Sequence, residues 1–392
     1  MGQVTVQHIL QQGYAAFAQS HPLPGYVRKA VWARLACRTA VLGGHIQACP
    51  EGHVERVWYN SCRHRLCPPC AWLQVERWLV RQKARLLACD HYHVIFTIPS
   101  ELQDLWLVNV AAMTQLLFAS VHDTLVELLG DPHYLGATPG ILATVHTWTQ
   151  TLRLHPPIHA LVTGGGLTRT GPWVAVHNGF LLPSRVVMAR FRGKLLAAIR
   201  RAMRQGQLAL PAGMRPQRGE NLLNKLGRAK WNVHIRERSP HGVGVLTYLA
   251  RYRRGGPLAK RRVVSCGQGE VTCRYRVNGE AADGPRSALM TLSVAEFSGR
   301  YLLHVPAPGT RVVRAYGLYA PTQGEALAVA RTQLGQGPVA APIVLDWQTA
   351  CSQRGEVHPE CWPICGQRLV CRGMIPRPRL APSARAPAEV AA

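Results

Sequence analysis

The stretch Val243-Gly-Val-Leu-Thr-Tyr-Leu-Ala-Arg-Tyr-Arg-Arg254 sets two phenols, Tyr248 and Tyr252, four residues apart in a run of helix formers. Residues i and i+4 lie one above the other on a helix face. Both hydroxyls are therefore expected to point the same way, among Arg251, Arg253 and Arg254. A phenol beside cations can attack a phosphodiester, because its deprotonated form is stabilised there. Taken alone, such a pair more often packs a helix against a sheet. The surrounding chain decides between the two readings.

The 392 residues carry 46 Lys+Arg against 20 Asp+Glu, a formal charge of +26. Arg dominates the excess and suits bidentate contacts to phosphate. With a pI near 10.4, the expected partner is a polyanion, nucleic acid before a membrane surface. A hydrophobic content of 47% excludes global disorder. The N-terminus Met-Gly-Gln-Val-Thr-Val-Gln-His lacks a basic region followed by an apolar core. The most apolar helical run, residues 105–120, is interrupted by Asn109 and Gln115 and is too short to span a bilayer. The expected location is cytoplasmic and nucleoid-associated. Twelve cysteines without an export signal point to metal ligands rather than disulfides.

Upstream of the tyrosines, Cys37 is followed by Cys49-Pro-Glu-Gly-His53 and then Cys62-Arg-His-Arg-Leu-Cys67-Pro-Pro-Cys70. Cys-x-x-Cys is a metal-knuckle spacing, and zinc takes four thiolate or imidazole ligands. The favoured set is Cys49, His53, Cys67 and Cys70, with Cys62 as substitute. A cluster of buried free thiols is the other reading. Arg56, Arg63 and Arg65 lie in this block, so it is expected to touch phosphate.

Residues 1–35 and 75–89 read as helices, 91–99 as a buried strand ended by Pro99, and 101–129 as one long helix or two short ones. Residues 142–148, 152–155 and 158–163 read as strands, the last ending in a turn at Gly164-Gly165-Gly166. A basic helix over 184–205 follows, then a short strand at 231–236. After the tyrosine helix come antiparallel strands at 261–267, 271–277 and 287–292, a helix at 293–303 and a strand at 311–316. Cys351, Cys361, Cys365 and Cys371 form a second, irregular cluster. Domain cuts near residues 75 and 340 give units 1–75, 76–340, a cysteine-containing segment 341–373, and a disordered basic tail 374–392.

Taken in order, these stretches resemble the IS91-family transposases, which are HUH endonucleases with two tyrosines. The resemblance rests on Tyr-Asn-Ser-Cys-Arg-His-Arg-x-Cys-Pro-x-Cys, His-Val-Ile-Phe-Thr-Ile-Pro, His-Pro-x-x-His before three glycines, Leu-Thr-Tyr-Leu-Ala-Arg-Tyr, and His-Val-Pro-x-Pro-Gly-x-Arg-x-Val-Arg-x-Tyr-Gly. It runs from about residue 37 to 319. It implies an α+β fold, with an N-terminal zinc-binding domain followed by an HUH-type nuclease domain whose central antiparallel sheet is flanked by helices. It also implies a structural Zn2+, and a catalytic Mg2+ or Mn2+ held by histidines on a central strand. Tyr248 and Tyr252 become the nucleophile pair, cleaving and rejoining single-stranded element ends through a 5′-phosphotyrosine link in rolling-circle-type transposition. His159 is the firmest catalytic metal ligand. Arg251, Arg253, Arg254, Arg261 and Arg262 are expected along the DNA backbone.

Two departures stand out. The family motif is His, a hydrophobic residue, His; here the matching positions are Pro157, Ile158 and His159. His155 is the nearest replacement, yet four strand residues span about 13 Å, so only a kink at Pro156-Pro157 brings it close. A further ligand is expected from His93, His146 or Gln150. The other outcome is weakened metal binding. Near the C-terminus, Trp362-Pro-Ile-Cys365-Gly366 stands where the family often has Cys-Pro-x-Cys-Gly, which leaves a C-terminal zinc site open. A rolling-circle replication initiator and a non-catalytic zinc-finger nucleic-acid-binding protein are the rival readings. The cysteine block preceding the nuclease favours the transposase over the initiator.

Overall fold

The computed structural model describes residues 4–253, 256–277, 286–342, 345–353 and 360–378, without the side chains of 251–253 and 260. Its centre is a seven-stranded antiparallel sheet. From edge to edge the main path runs Val313–Gly317, Thr138–Val145, Ile158–Leu167, Asp90–Phe96 and Val233–Ile235. Trp173–Ala175 adds to the central strand and Ser239–Pro240 to the strand Asp90–Phe96. Every residue of the central strand, Ile158–Leu167, is buried. It is covered on both faces, which explains a nearly continuous apolar run rather than alternation.

Side chains alternate across a strand, and the two faces have different partners. Ile158, Ala160 and Val162 join Ile141, Ala143, Val94 and Phe96 on one face. Leu117, Phe118 and Leu125 of the helix Val110–Gly130 cover them, with Phe191 and Leu195 of the helix Ser184–Arg204. On the other face Leu142 and Leu161 meet Leu246, Leu249 and Ala250 of the helix Val243–Arg253. Trp78 and Leu79 of the helix Pro68–Arg85 and Leu327 and Ala330 of the helix Gly324–Gln333 complete that layer. The tyrosine helix thus lies on the sheet face that carries the odd-numbered residues of the central strand. Truncating Leu161 to Ala beneath it would cost about 2–5 kcal/mol.

The three glycines do not form the expected turn: the strand continues through them to Leu167. The reason is crowding. A Cβ on Gly165 would lie 2.6 Å from the Trp173 ring and 2.5 Å from the Val174 carbonyl, and one on Gly166 would lie 2.4 Å from the Thr138 carbonyl. Glycine is required for close approach of neighbouring strands, not for chain reversal. Residues 152–155 also form no strand; Leu154 makes only an isolated bridge to Trp148.

A second core joins the chain's beginning to its later half. Ile9, Leu10 and Phe17 of the helix Val6–Ser20 pack on Val271, Leu292 and Phe297. These belong to a separate sheet of Val263–Gly267, Glu270–Arg276 and Ser287–Ser293, and to the helix Val294–Leu302. Ser293 caps that helix by accepting from the Glu296 amide, a Ser-x-x-Glu start. The expected unit 1–75 therefore shares its core with residues beyond 258. A third sheet pairs Gly44–Ala48 with Glu55–Tyr59 on one side and Val370–Ile375 on the other. The chain's end thus returns to its cysteine block. Residues 374 and 375, expected in a disordered tail, continue a paired strand; residues 379–392 lie outside those described. Among the described residues no helix is long and apolar enough to cross a membrane.

Candidate active site and metal centres

Strand register brings three histidines to one face. His159 pairs with Ile95 on one side and Thr144 on the other. His93 and His146 each sit two residues from those partners, so their side chains share the His159 face. His93 Nε2 lies 2.9 Å from His159 Nδ1, and His146 Nε2 lies 2.9 Å from His159 Nε2. Continuing the register one step past Val145 and Ile158 puts His146 opposite Pro157. A neighbouring strand thus supplies an imidazole beside the position where the family motif's first histidine is missing.

All three rings are held neutral. Burial pushes His159 down to about 2, with the neighbouring His146 and His93 adding to the shift. It pushes His93 to about 4, and His146 to about 3. Neutrality fixes the tautomers. His146 Nδ1–H donates to the Trp148 carbonyl at 3.0 Å, leaving Nε2 as an acceptor. His159 must then donate from Nε2 to His146 and accept at Nδ1 from His93. In this chain the lone pairs of His146 Nε2 and His159 Nδ1 are taken up between the rings, so a cation would have to open those bonds; the Trp148 carbonyl orients His146 as an outer partner would. By type, three neutral imidazoles are donors that a divalent cation accepts; among the described residues it is the two cysteine groups, not these rings, whose donor atoms already stand together.

Tyr248 completes the group. Its ring centroid is 5.6 Å from that of His159, edge to face, and 5.5 Å from that of His93. Tyr252 lies in the same helix, but its side chain is outside the described residues, as are those of Arg251 and Arg253 and the whole of Arg254.

The expected second ligand, His155, is not what the strands deliver to His159. Its amide donates to the Thr147 carbonyl at 2.8 Å. Its ring is half-buried, near enough for its charge to weigh on His146 and His159. The direct ring contacts of His159 go instead to His93 and His146, because a cross-strand neighbour is closer than a residue four places along the same chain. The main-chain carbonyl of Gln150, whose side chain is another expected donor, accepts from Arg262. Arg262 also donates to the Arg274 carbonyl at 2.9 Å, so this expected DNA contact is engaged within the protein. Arg261 is exposed.

A groove of about 890 Å³ is lined by Arg65, Gln82, Gln115, Arg311, Arg314 and Tyr316, among others. It shares Arg65, Thr114, Thr310 and Val312 with a smaller apolar cleft that reaches His146, Trp148 and His304.

The cysteine block does not assemble as expected. Cys67 and Cys70 gather with Cys37 and Cys62, while Cys49 and His53 belong to a different group with Cys365. In the first group the sulfurs of Cys37 lie 3.6 Å from Cys67 and 3.4 Å from Cys70, and that of Cys62 lies 3.7 Å from Cys70. Tetrahedral zinc with bonds of about 2.3 Å has sulfur–sulfur edges of about 3.8 Å. The four thiols fit zinc closely. Hydrogen bonds among them lower the pKa of Cys37 and Cys70 and raise that of Cys62 and Cys67, as expected where four thiolates cannot coexist without a cation. Arg34 donates to the Cys67 sulfur at 2.7 Å. Cys67 also caps the helix Pro68–Arg85, whose N-terminal end favours a thiolate. Cys37, outside the expected set, closes the helix Gly25–Ala36 and is brought to the other thiols by the fold.

Comparison with known proteins gives the family. Residues 140–326 match the family described as "Putative transposase", and residues 9–98 match the "Transposase zinc-binding domain" of IS91 type. The chain is 35% identical over 336 residues to putative transposase y4qJ of Sinorhizobium fredii, covering 84% of this chain and 83% of that protein. It is 28% identical over 357 residues to the transposase for insertion sequence element IS801 of Pseudomonas savastanoi pv. phaseolicola, covering 87% and 82%. No solved structure matches it. With its zinc-binding block, its histidine-bearing sheet and this extent of likeness, the chain belongs to the IS91-type transposases.

Proposed function

We propose that this transposase cleaves and rejoins single-stranded DNA at element ends, with Tyr248 as a nucleophile and a divalent cation, Mg2+ or Mn2+, held by His159, His93 and His146. The observation that carries the reading is the Tyr248 ring set against both His159 and His93. When bound, the cation would polarise the scissile phosphate and offset its charge. Neutral at physiological pH, the three imidazoles would exchange their ring-to-ring hydrogen bonds for the cation. The Tyr248 oxygen attacks phosphorus, the bond from phosphorus to the 3′ oxygen breaks, and a 5′-phosphotyrosine and a free 3′-hydroxyl result. The bond energy is kept in the ester, so the reverse attack by a 3′-hydroxyl rejoins DNA. Tyr252, one helical turn on, serves a second strand in rolling-circle-type transposition. The arginine-lined groove carries the incoming strand, with the exposed Arg311 offered to phosphate. The net charge of +26 favours that association.

The test is incubation of the whole protein with a 3′-labelled single-stranded terminus and Mn2+, followed by a search for a covalent adduct, since the protein is joined to the fragment on the 3′ side of the cut. An adduct that disappears in a Tyr248→Phe, Tyr252→Phe double variant supports the proposal. Tight binding without an adduct favours the non-catalytic reading, which Pro157 in the motif position supports.

A further inference from the structure

From the geometry we infer a second zinc centre, built by Cys49 and His53 from the chain's start and Cys365 from its end. The Cys49 sulfur lies 3.5 Å from the Cys365 sulfur and 3.6 Å from His53 Nδ1. Zinc bonds of about 2.3 Å to sulfur and 2.0–2.1 Å to nitrogen give tetrahedral edges of about 3.8 Å and 3.6 Å. The three donors therefore already stand at ligand spacing, although 316 residues separate Cys49 from Cys365.

Both sides are shaped as knuckles. The Cys49 amide donates to the Val54 carbonyl at 2.9 Å and the Gly52 amide to the Cys49 carbonyl at 3.0 Å. Gly52 takes φ +76°, a conformation that tightens the turn and that glycine adopts without strain. On the other side the Gly366 amide donates to the Trp362 carbonyl at 2.8 Å and the Trp362 amide to the Gln367 carbonyl at 2.9 Å, with Gly366 at φ +71°. Trp362 sits three places before Cys365, where a paired knuckle would carry its other thiol, so this turn offers one sulfur. The Glu51 carboxylate lies 3.5 Å from His53 Nδ1 but outside the group of three donors, so the fourth position falls to water unless that side chain turns in. Two thiolates, an imidazole and a carboxylate or water make a set that zinc accepts. The adjoining strand Val370–Ile375 pairs with Gly44–Ala48 and holds the two knuckles in register. The centre closes the chain's end onto the cysteine block.

The experiment is native mass spectrometry of the full-length protein purified with zinc, read as zinc ions per chain. Two zinc ions in the unaltered protein, one in Cys365→Ser and two in Cys361→Ser support the inference. Cys361 is a neighbouring thiol outside the group. If Cys365→Ser fails to fold, His53→Ala at an exposed position gives the same reading. One zinc ion in the unaltered protein, two retained in Cys365→Ser, or a chain lighter by two hydrogens from a Cys49–Cys365 disulfide would each overturn it.

Discussion

The Tyr248 ring stands edge-on to the His159 ring, with centroids 5.6 Å apart. This relationship ties a helix to the sheet it covers, since Leu246, Leu249 and Ala250 seat that helix on Leu161, two residues along from His159. Tyr248→Phe keeps the ring and removes only the hydroxyl. The expected outcome is that noncovalent binding of single-stranded DNA is retained while adduct formation by Tyr248 ends. Denaturing gels with labelled DNA, run beside Tyr252→Phe, would show it. Undiminished adduct in both single variants and in the double variant would remove the tyrosine mechanism.

In the proposed site His146 takes the place left by Pro157, and a double substitution tests this. His146→Gln should lower metal affinity by at least the roughly 10- to 100-fold that loss of an outer partner costs. Adding Pro157→His to that variant should recover part of the loss, because the new imidazole projects from the same sheet face two residues from His159. Metal titrations of cleavage and of intrinsic fluorescence would measure both. If His146→Gln behaves as the unaltered protein does while His155→Gln loses metal, the ligand assignment reverts to His155.

The parts of the site legible in the sequence were those that lie close along the chain. Tyr248 and the helix bearing it follow from local spacing, and His159 from its motif. The roles of His93 and His146 depend on strand register, which pairs His159 with Ile95 and Thr144 and cannot be read from any one segment. The cysteines divided for the same reason. Cys49 lies closer in sequence to Cys62 than Cys365 does, yet strand pairing of residues 370–375 brings Cys365 to it. The glycine triplet was misleading because glycine marks both turns and close approach, and only the positions of Trp173 and Thr138 distinguish them.

Packing of the N-terminal helix on the second core gives a stability test. A Cβ on Gly13 would fall 2.0 Å from Val294 Cγ1. Gly13→Ala gains up to about 1 kcal/mol of helix propensity, but overpacking costs about 1–3 kcal/mol. The net expectation is destabilisation, read as a lower urea midpoint with an unchanged slope. A raised midpoint would mean that the helices Val6–Ser20 and Val294–Leu302 are not in contact as described.

His304 makes stability depend on pH. It donates from Nε2 to the Leu152 carbonyl and accepts at Nδ1 from Thr147, both at 2.9 Å, and burial lowers its pKa from 6.5 to about 4. As pH falls below 6.5 the unfolded chain takes up a proton that the folded chain refuses until about pH 4. The unfolded state binds more protons in that window, so stability falls with pH there, by about 3 kcal/mol in all. His304→Gln removes this dependence. The stability gap between the unaltered protein and the variant should be widest near pH 7 and shrink by about 3 kcal/mol near pH 4. Parallel pH profiles in urea denaturation would count against a neutral buried His304.

Two arginines close in kind should respond differently to salt. Arg311 is exposed on the groove that adjoins the cleft reaching His146, whereas Arg262 is held by the carbonyls of Gln150 and Arg274. A phosphate contact releases counterions on binding, so its loss lowers the slope of log affinity against log salt by about 1. Arg311→Ala should show that change with single-stranded DNA of any sequence, and its melting temperature should stay near that of the unaltered protein. Arg262→Ala should leave the slope alone and lower the melting temperature, because its guanidinium holds the Glu270–Arg276 strand to the loop after Trp148. Fluorescence anisotropy at several salt concentrations, beside thermal melts, separates the two. The reverse pattern would move the DNA path away from the groove and onto the strand that follows the tyrosine helix.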